Sequence, residues 1–144
     1  PFRDNPSKHG FSMMAVACLM IESLFCFYKG WSKTPRGVGR ESFKTFFSDS
    51  EPFNVFKEYG DEFYKKVRCG ILHQGETYGG WLIVRKGALF QESTKTINAT
   101  KFHEALEREL RIYTDRLREK SFEEPEWKRA IKKLEDICRN CSEQ

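Results

Sequence analysis

Residues 11–29, FSMMAVACLMIESLFCFYK, decide how this chain is read. On a helix advancing about 100° per residue, Met13, Met14, Val16, Ala17, Leu19, Met20, Ile21, Leu24 and Phe25 cover most of the circumference. That is the pattern of a helix surrounded by other helices. Gly30 stands where such a helix would end. The same stretch approaches the length of a membrane span, but Ser12, Glu22 and Ser23 interrupt it, and a carboxylate in mid-bilayer is costly. The expectation is a central core helix with no membrane partner.

Composition supports a packed chain around that helix. With 144 residues, 39% of them hydrophobic and thirteen of them Phe, the chain suits a single domain spanning 1–144 and can bury a real core. A charged content of 32% supplies a polar surface, which speaks against disorder. The net charge of +4, from 25 basic and 21 acidic residues, permits nucleic-acid binding without demanding it. Five cysteines, two of them (Cys18 and Cys26) inside the apolar helix, point to free thiols and a reducing, cytoplasmic setting.

Downstream, Pro35, Gly37 and Gly39 mark a loop, and residues 41–47 form a short helix with Phe43, Phe46 and Phe47 inward. Phe53, Phe56, Phe63, Val67 and Ile71 continue at helical spacing, with Gly60 splitting the run and Asp61 as the N-cap of its main part. Gly75, Gly79 and Gly80 break the pattern. Residues 81–84 and 88–90 flank Arg85-Lys86-Gly87 and predict a β-hairpin near residues 81–91. Asn98 or Thr100 caps a helix striped by Phe102, Leu106, Leu110, Tyr113 and Leu117 and running through Lys120. Glu124 and Pro125 open a last helix with the stripe Trp127, Ile131, Leu134, Cys138 and Cys141. The predicted fold is all-α, an antiparallel bundle of four to five helices with one short hairpin inserted.

The chemistry resides in Arg68-Cys69-Gly70-Ile71-Leu72-His73, at the end of the main helix. Arginine offers a permanently charged fork of donors that fits phosphate oxygens, and histidine titrates nearest neutrality. Residues five apart on a regular helix diverge by about 140°. The pair therefore predicts either a one-residue bulge, which Gly70 would allow, or a helix that ends before His73. Glu22, a carboxylate inside the apolar first helix, is a candidate to orient Arg68 or His73, and a neighbouring arginine or backbone partner is the plainer reading. Gln74 could hold substrate or water. The plain alternative for Arg68 and His73 is capping of the helix end.

Other residues carry less. Cys138 and Cys141 have the spacing of a metal pair, which Cys69 and His73 could complete, but both also continue the last apolar stripe. No metal and no cofactor are expected. His9 and His103 are placed on the surface. Arg108, Arg111, Arg116, Arg118 and Lys120 alternate with Glu104, Glu107, Glu109 and Glu119, as on a salt-bridged solvent face.

A helical bundle with an arginine, four intervening residues and a histidine at a helix end resembles the HEPN superfamily. The phrases Met13-Met14-Ala15-Val16-Ala17-Cys18 and Val67-Arg68-Cys69-Gly70-Ile71-Leu72-His73-Gln74 are similar to those of a prokaryotic branch of it. The resemblance implies a metal-independent endoribonuclease, toxin- or defence-like, whose cleft forms at a homodimer interface and whose target is RNA. It also implies that an antitoxin or regulatory protein can act on it. Arg68 and His73 would be catalytic, with Glu22, Cys69 and Gln74 in support. Cys69 departs from the Asn, Asp or His that many active members carry after the motif arginine, and Gly75 stands where one variant carries a modified tyrosine. The second function class is a non-catalytic helical module that binds a nucleotide, RNA or protein in the same cleft.

Overall fold

A computed structural model describes residues 8–142 of the chain. It is mostly helical. Helix α1, Gly10–Lys29, ends at Gly30, whose φ of 65° suits glycine and whose N–H reaches the Cys26 and Phe27 carbonyls. Helix α2, Gly39–Asp49, and a 3₁₀ segment, Glu51–Tyr59, carry Phe43, Phe46, Phe47, Phe53 and Phe56 into the core. Between α2 and the next helix the backbones nearly touch. A Cβ on Gly60 would come within 2.6 Å of Lys44 Cα, so glycine is required there.

Residues 60–74 then form one helical run: α3, Gly60–Phe63, a π-helical turn, Tyr64–Arg68, and α4, Cys69–Gln74. Asp61 is not the N-cap; Tyr59 holds that place, and Asp61 lies in the first turn, where it pairs with Lys65 at 3.1 Å and with Arg40. A carboxylate is favoured in a first turn as well as at a cap.

The expected hairpin near residues 81–91 is corrected. Strands β1, Leu82–Val84, β2, Phe90–Gln91, and β3, Thr96–Asn98, form a three-stranded sheet in the order β1-β3-β2. β1 pairs with β3 in parallel, Ile83 opposite Ile97, and the antiparallel pair is β2 with β3. The loop at Arg85-Lys86-Gly87 thus joins strands that are not neighbours. Asn98 closes the sheet and caps the next helix, its side chain accepting from the Thr100 and Lys101 N–H groups.

Helix α5, Ala99–Arg118, and helix α6, Pro125–Ser142, complete the chain. α5 packs along α1 and buries Phe102, Leu106, Tyr113 and Leu117, but leaves Leu110 exposed. Phe47 sits among Phe53, Phe56, Phe63 and Phe102, with centroids 5.0 Å apart for Phe63 and 5.2 Å for Phe56. Such offset and edge-on aromatic pairs add about 0.5–1.5 kcal/mol each beyond their burial. Glu109, expected on a solvent face, is buried. It accepts hydrogen bonds from the Tyr28 hydroxyl at 2.8 Å and the Ser50 hydroxyl at 2.6 Å, tying α5 to α1 and to the end of α2. His103 is half-buried, its ring Nε2 lying 2.9 Å from the Met13 carbonyl oxygen.

Two apolar faces remain uncovered among the described residues. α1 buries Met13, Met14, Ala17, Cys18 and Ile21 but exposes Val16, Leu19 and Met20, so it is enclosed on one side only. It is the one helix among the described residues long and apolar enough to cross a membrane. α6 turns the side bearing Glu126, Ala130, Lys133 and Asp136 inward, while Ile131, Leu134, Cys138 and Cys141 face outward.

Candidate functional site

The site lies where α1 passes the helical run 60–74. Arg68 Nε donates to Glu22 Oε1 at 2.6 Å, and both side chains are mostly withdrawn from solvent, 16% and 19% exposed. The arginine's Nη1 lies 3.5 Å from Nε2 of His73, which is exposed. Beneath the guanidinium the Tyr64 ring is 5.4 Å from Cζ, a cation–π distance. Glu22, Arg68 and His73 are thus brought together. Cys69 is partly buried beside them and Gln74 is exposed after His73.

The backbone geometry differs from both sequence expectations. A π turn is present, but over Tyr64–Arg68, upstream of the Arg68-to-His73 interval, with the Cys69 N–H bonded to the Tyr64 carbonyl. From Cys69 the helix is regular and continues through His73 to Gln74. The π turn therefore aligns Tyr64 with Cys69, and the length of the arginine side chain, not a bulge at Gly70, closes the distance to His73.

Gly70 serves another purpose. Gly75, at φ 73°, ends the helix, with its N–H bonded to the Ile71 carbonyl and the Glu76 N–H bonded to the Gly70 carbonyl. The chain then returns over the helix, and the Tyr78 N–H reaches the Lys66 carbonyl at 2.9 Å. A Cβ on Gly70 would come within 2.4 Å of the Glu76 carbonyl oxygen. The motif glycine is what lets the return strand close behind the site.

Electrostatics follow from this packing. Burial works against charge on Arg68, but the hydrogen bond and charge of Glu22 outweigh it and hold the guanidinium above its ordinary value. Burial pushes the Cys18 thiol up to about 12, against the lowering pull of Arg68. Burial also raises the Tyr64 hydroxyl, again opposed by Arg68. The group is thus a fixed cation with a carboxylate behind it and an imidazole in front.

Tyr64 was not read from the sequence as part of this site, although its four-residue spacing from Arg68 on one helix was available as a signal. Gly39 supports it: a Cβ there would meet the Tyr64 hydroxyl at 2.8 Å. Neither His9, at the start of α1, nor Cys138 and Cys141, at the far end of α6, joins the group, and no cluster of three or more metal-ligating side chains occurs among the described residues. Compared with protein-family models, curated proteins and solved structures, the chain finds no match in any of the three.

Proposed function

We propose that this chain is a metal-independent endoribonuclease of HEPN type, a bundle of antiparallel helices in one domain that acts on RNA as a homodimer. The observation that carries the proposal is the 3.5 Å approach of Arg68 Nη1 to His73 Nε2, with Glu22 anchoring the arginine from behind. In this reading His73 removes the proton of an RNA 2′-hydroxyl or protonates the leaving oxygen, and Arg68 stabilises charge on the phosphorane-like transition state. RNA is the substrate class because only RNA carries the hydroxyl that attacks. Glu22 is a positioning residue, since it fixes the guanidinium without facing substrate.

The uncovered side of α1 supports a two-chain site. Leu19 is 54% exposed and lies three residues from Glu22, so the apolar strip of Val16, Leu19 and Met20 borders the site directly. A second copy seated there would bring two Arg68/His73 pairs into one cleft. A toxin- or defence-like role in the cytoplasm, held in check by an antitoxin or regulatory protein, belongs to the same proposal.

One observation favours the second class, a non-catalytic module binding a nucleotide, RNA or protein. Glu22 already compensates the charge of Arg68, which leaves less of it for a phosphate. Incubating the purified protein with RNA in a chelator, beside Arg68→Ala and His73→Ala, separates the two. Cleavage by the parent that both variants lose supports the enzyme, and RNA left intact by the parent supports the module.

A further inference from the structure

We propose that the outward face of α6 is a self-association surface on which a second copy of this chain seats its own α6, antiparallel, about a two-fold axis. α6 holds to its own chain by a largely polar side: Lys133 donates to the Ser32 carbonyl, and Glu126 takes Arg116 at 2.6 Å and Lys120 at 2.5 Å. Its apolar residues lie about a third of a turn away on a regular helix. Trp127, Ile131, Leu134 and Cys138 follow one another at intervals of four, three and four residues, the spacing of a coiled-coil seam. Ile131 and Leu134 are 37% and 48% exposed. Trp127, at the start of the seam, packs partly on its own chain, its indole N–H donating to the Leu117 carbonyl and its ring 4.6 Å from Phe122, whereas Ile131, Leu134 and Cys138 stay exposed.

Charge selects the occupant and its direction. If Ile131 is layered on the partner's Leu134, the register sets Lys128 opposite the partner's Glu135. Symmetry repeats the pair at the other end. A parallel arrangement instead sets Ile137 against the partner's Ser142 and matches no charge along the helix. An antiparallel second copy therefore matches the exposed Lys128 and Glu135 twice, as a self-complementary two-fold contact must. Within its own chain Lys128 reaches Glu123, at 3.8 Å on the open surface, an exposed pair of little energetic consequence.

The proposal does not depend on RNA cleavage, and the seam contains none of Glu22, Arg68 or His73. If α1 also pairs, the chain carries two separate two-fold contacts, and disrupting α6 halves the assembly's mass whether the parent is a dimer or a tetramer. The test is sedimentation of the full chain over a concentration series, for the parent, Ile131→Glu, Lys128→Glu, Glu135→Lys and the double reversal, with circular dichroism to show that each variant is folded. The expected result is a halved mass in Ile131→Glu, association shifted to severalfold higher concentration in each single reversal, and parent-like association in the double. An unchanged mass in Ile131→Glu overturns the proposal and leaves the face to a different protein. A double reversal as weak as the singles overturns the antiparallel pairing.

Discussion

Arg68 and His73 meet at 3.5 Å although a regular helix from Cys69 onward sends them in different directions, because the arginine stem crosses the helix surface while Glu22 holds Nε. The contact thus depends on a residue from α1 as much as on the helix that carries the motif. Replacing Glu22 by Gln keeps a hydrogen-bond acceptor but removes the charge. The expected outcome is RNA cleavage slowed by up to about 10²-fold, the scale of a displaced catalytic group, together with a lower unfolding temperature, because the mostly buried Arg68 charge loses its counter-charge. Parent-like cleavage by Glu22→Gln would remove it from the site.

Gly70→Ala tests the return strand. Its Cβ would overlap the Glu76 carbonyl, so the segment carrying Tyr78 must move. Overpacking of this kind costs about 1–3 kcal/mol, and denaturant unfolding should show that loss together with reduced cleavage. Unaltered stability would mean that the return strand is not packed as described.

Tyr28→Phe removes one of the two donors to the buried Glu109 carboxylate. A buried acceptor left unmatched costs about 1–3 kcal/mol, a loss to be read from the denaturation midpoint. In the parent, burial and the Glu109 hydrogen bond push the Tyr28 hydroxyl upward, so its alkaline ionisation should be absent until the protein unfolds.

The thiols should separate by reactivity. Cys138 and Cys141 are exposed, whereas Cys18 is buried with its thiol pushed up to about 12. Alkylation near neutral pH should modify the first two and spare Cys18 until denaturant is added, as peptide mapping would show. A thiol raised in the folded state favours folding below its ordinary value. That contribution is lost as pH climbs from there towards 12, so Cys18 adds an alkaline weakness. Early labelling of Cys18 would contradict its place in the core.

Local signals were legible in the sequence wherever one residue decides the backbone. Gly30 ends α1, Asn98 caps α5 and Pro125 opens α6 as their chemistry requires. The phenylalanine spacing likewise located the core. The parallel pairing of β1 with β3 was not legible, because a three-residue strand carries no record of its distant neighbour. Nor was the orientation of α6: periodicity tells which face is apolar, not whether the chain's own core or another chain covers it. At the site, Glu22, Arg68 and His73 were named from residue type and position. The upstream π turn and Tyr64 were missed, since both arise from how α1, α2 and the helical run pack together.

The most direct measurement is the rate of RNA cleavage, in the presence of a chelator, by the parent, Arg68→Ala, His73→Ala and the double variant. Loss of the arginine should cost about 10²–10³-fold and loss of the histidine about 10²–10⁴-fold, with the double variant no slower than the worse single, as for groups acting as one unit. Intact RNA with the parent, or variants that cleave as fast as the parent, would contradict a shared catalytic site at Arg68 and His73.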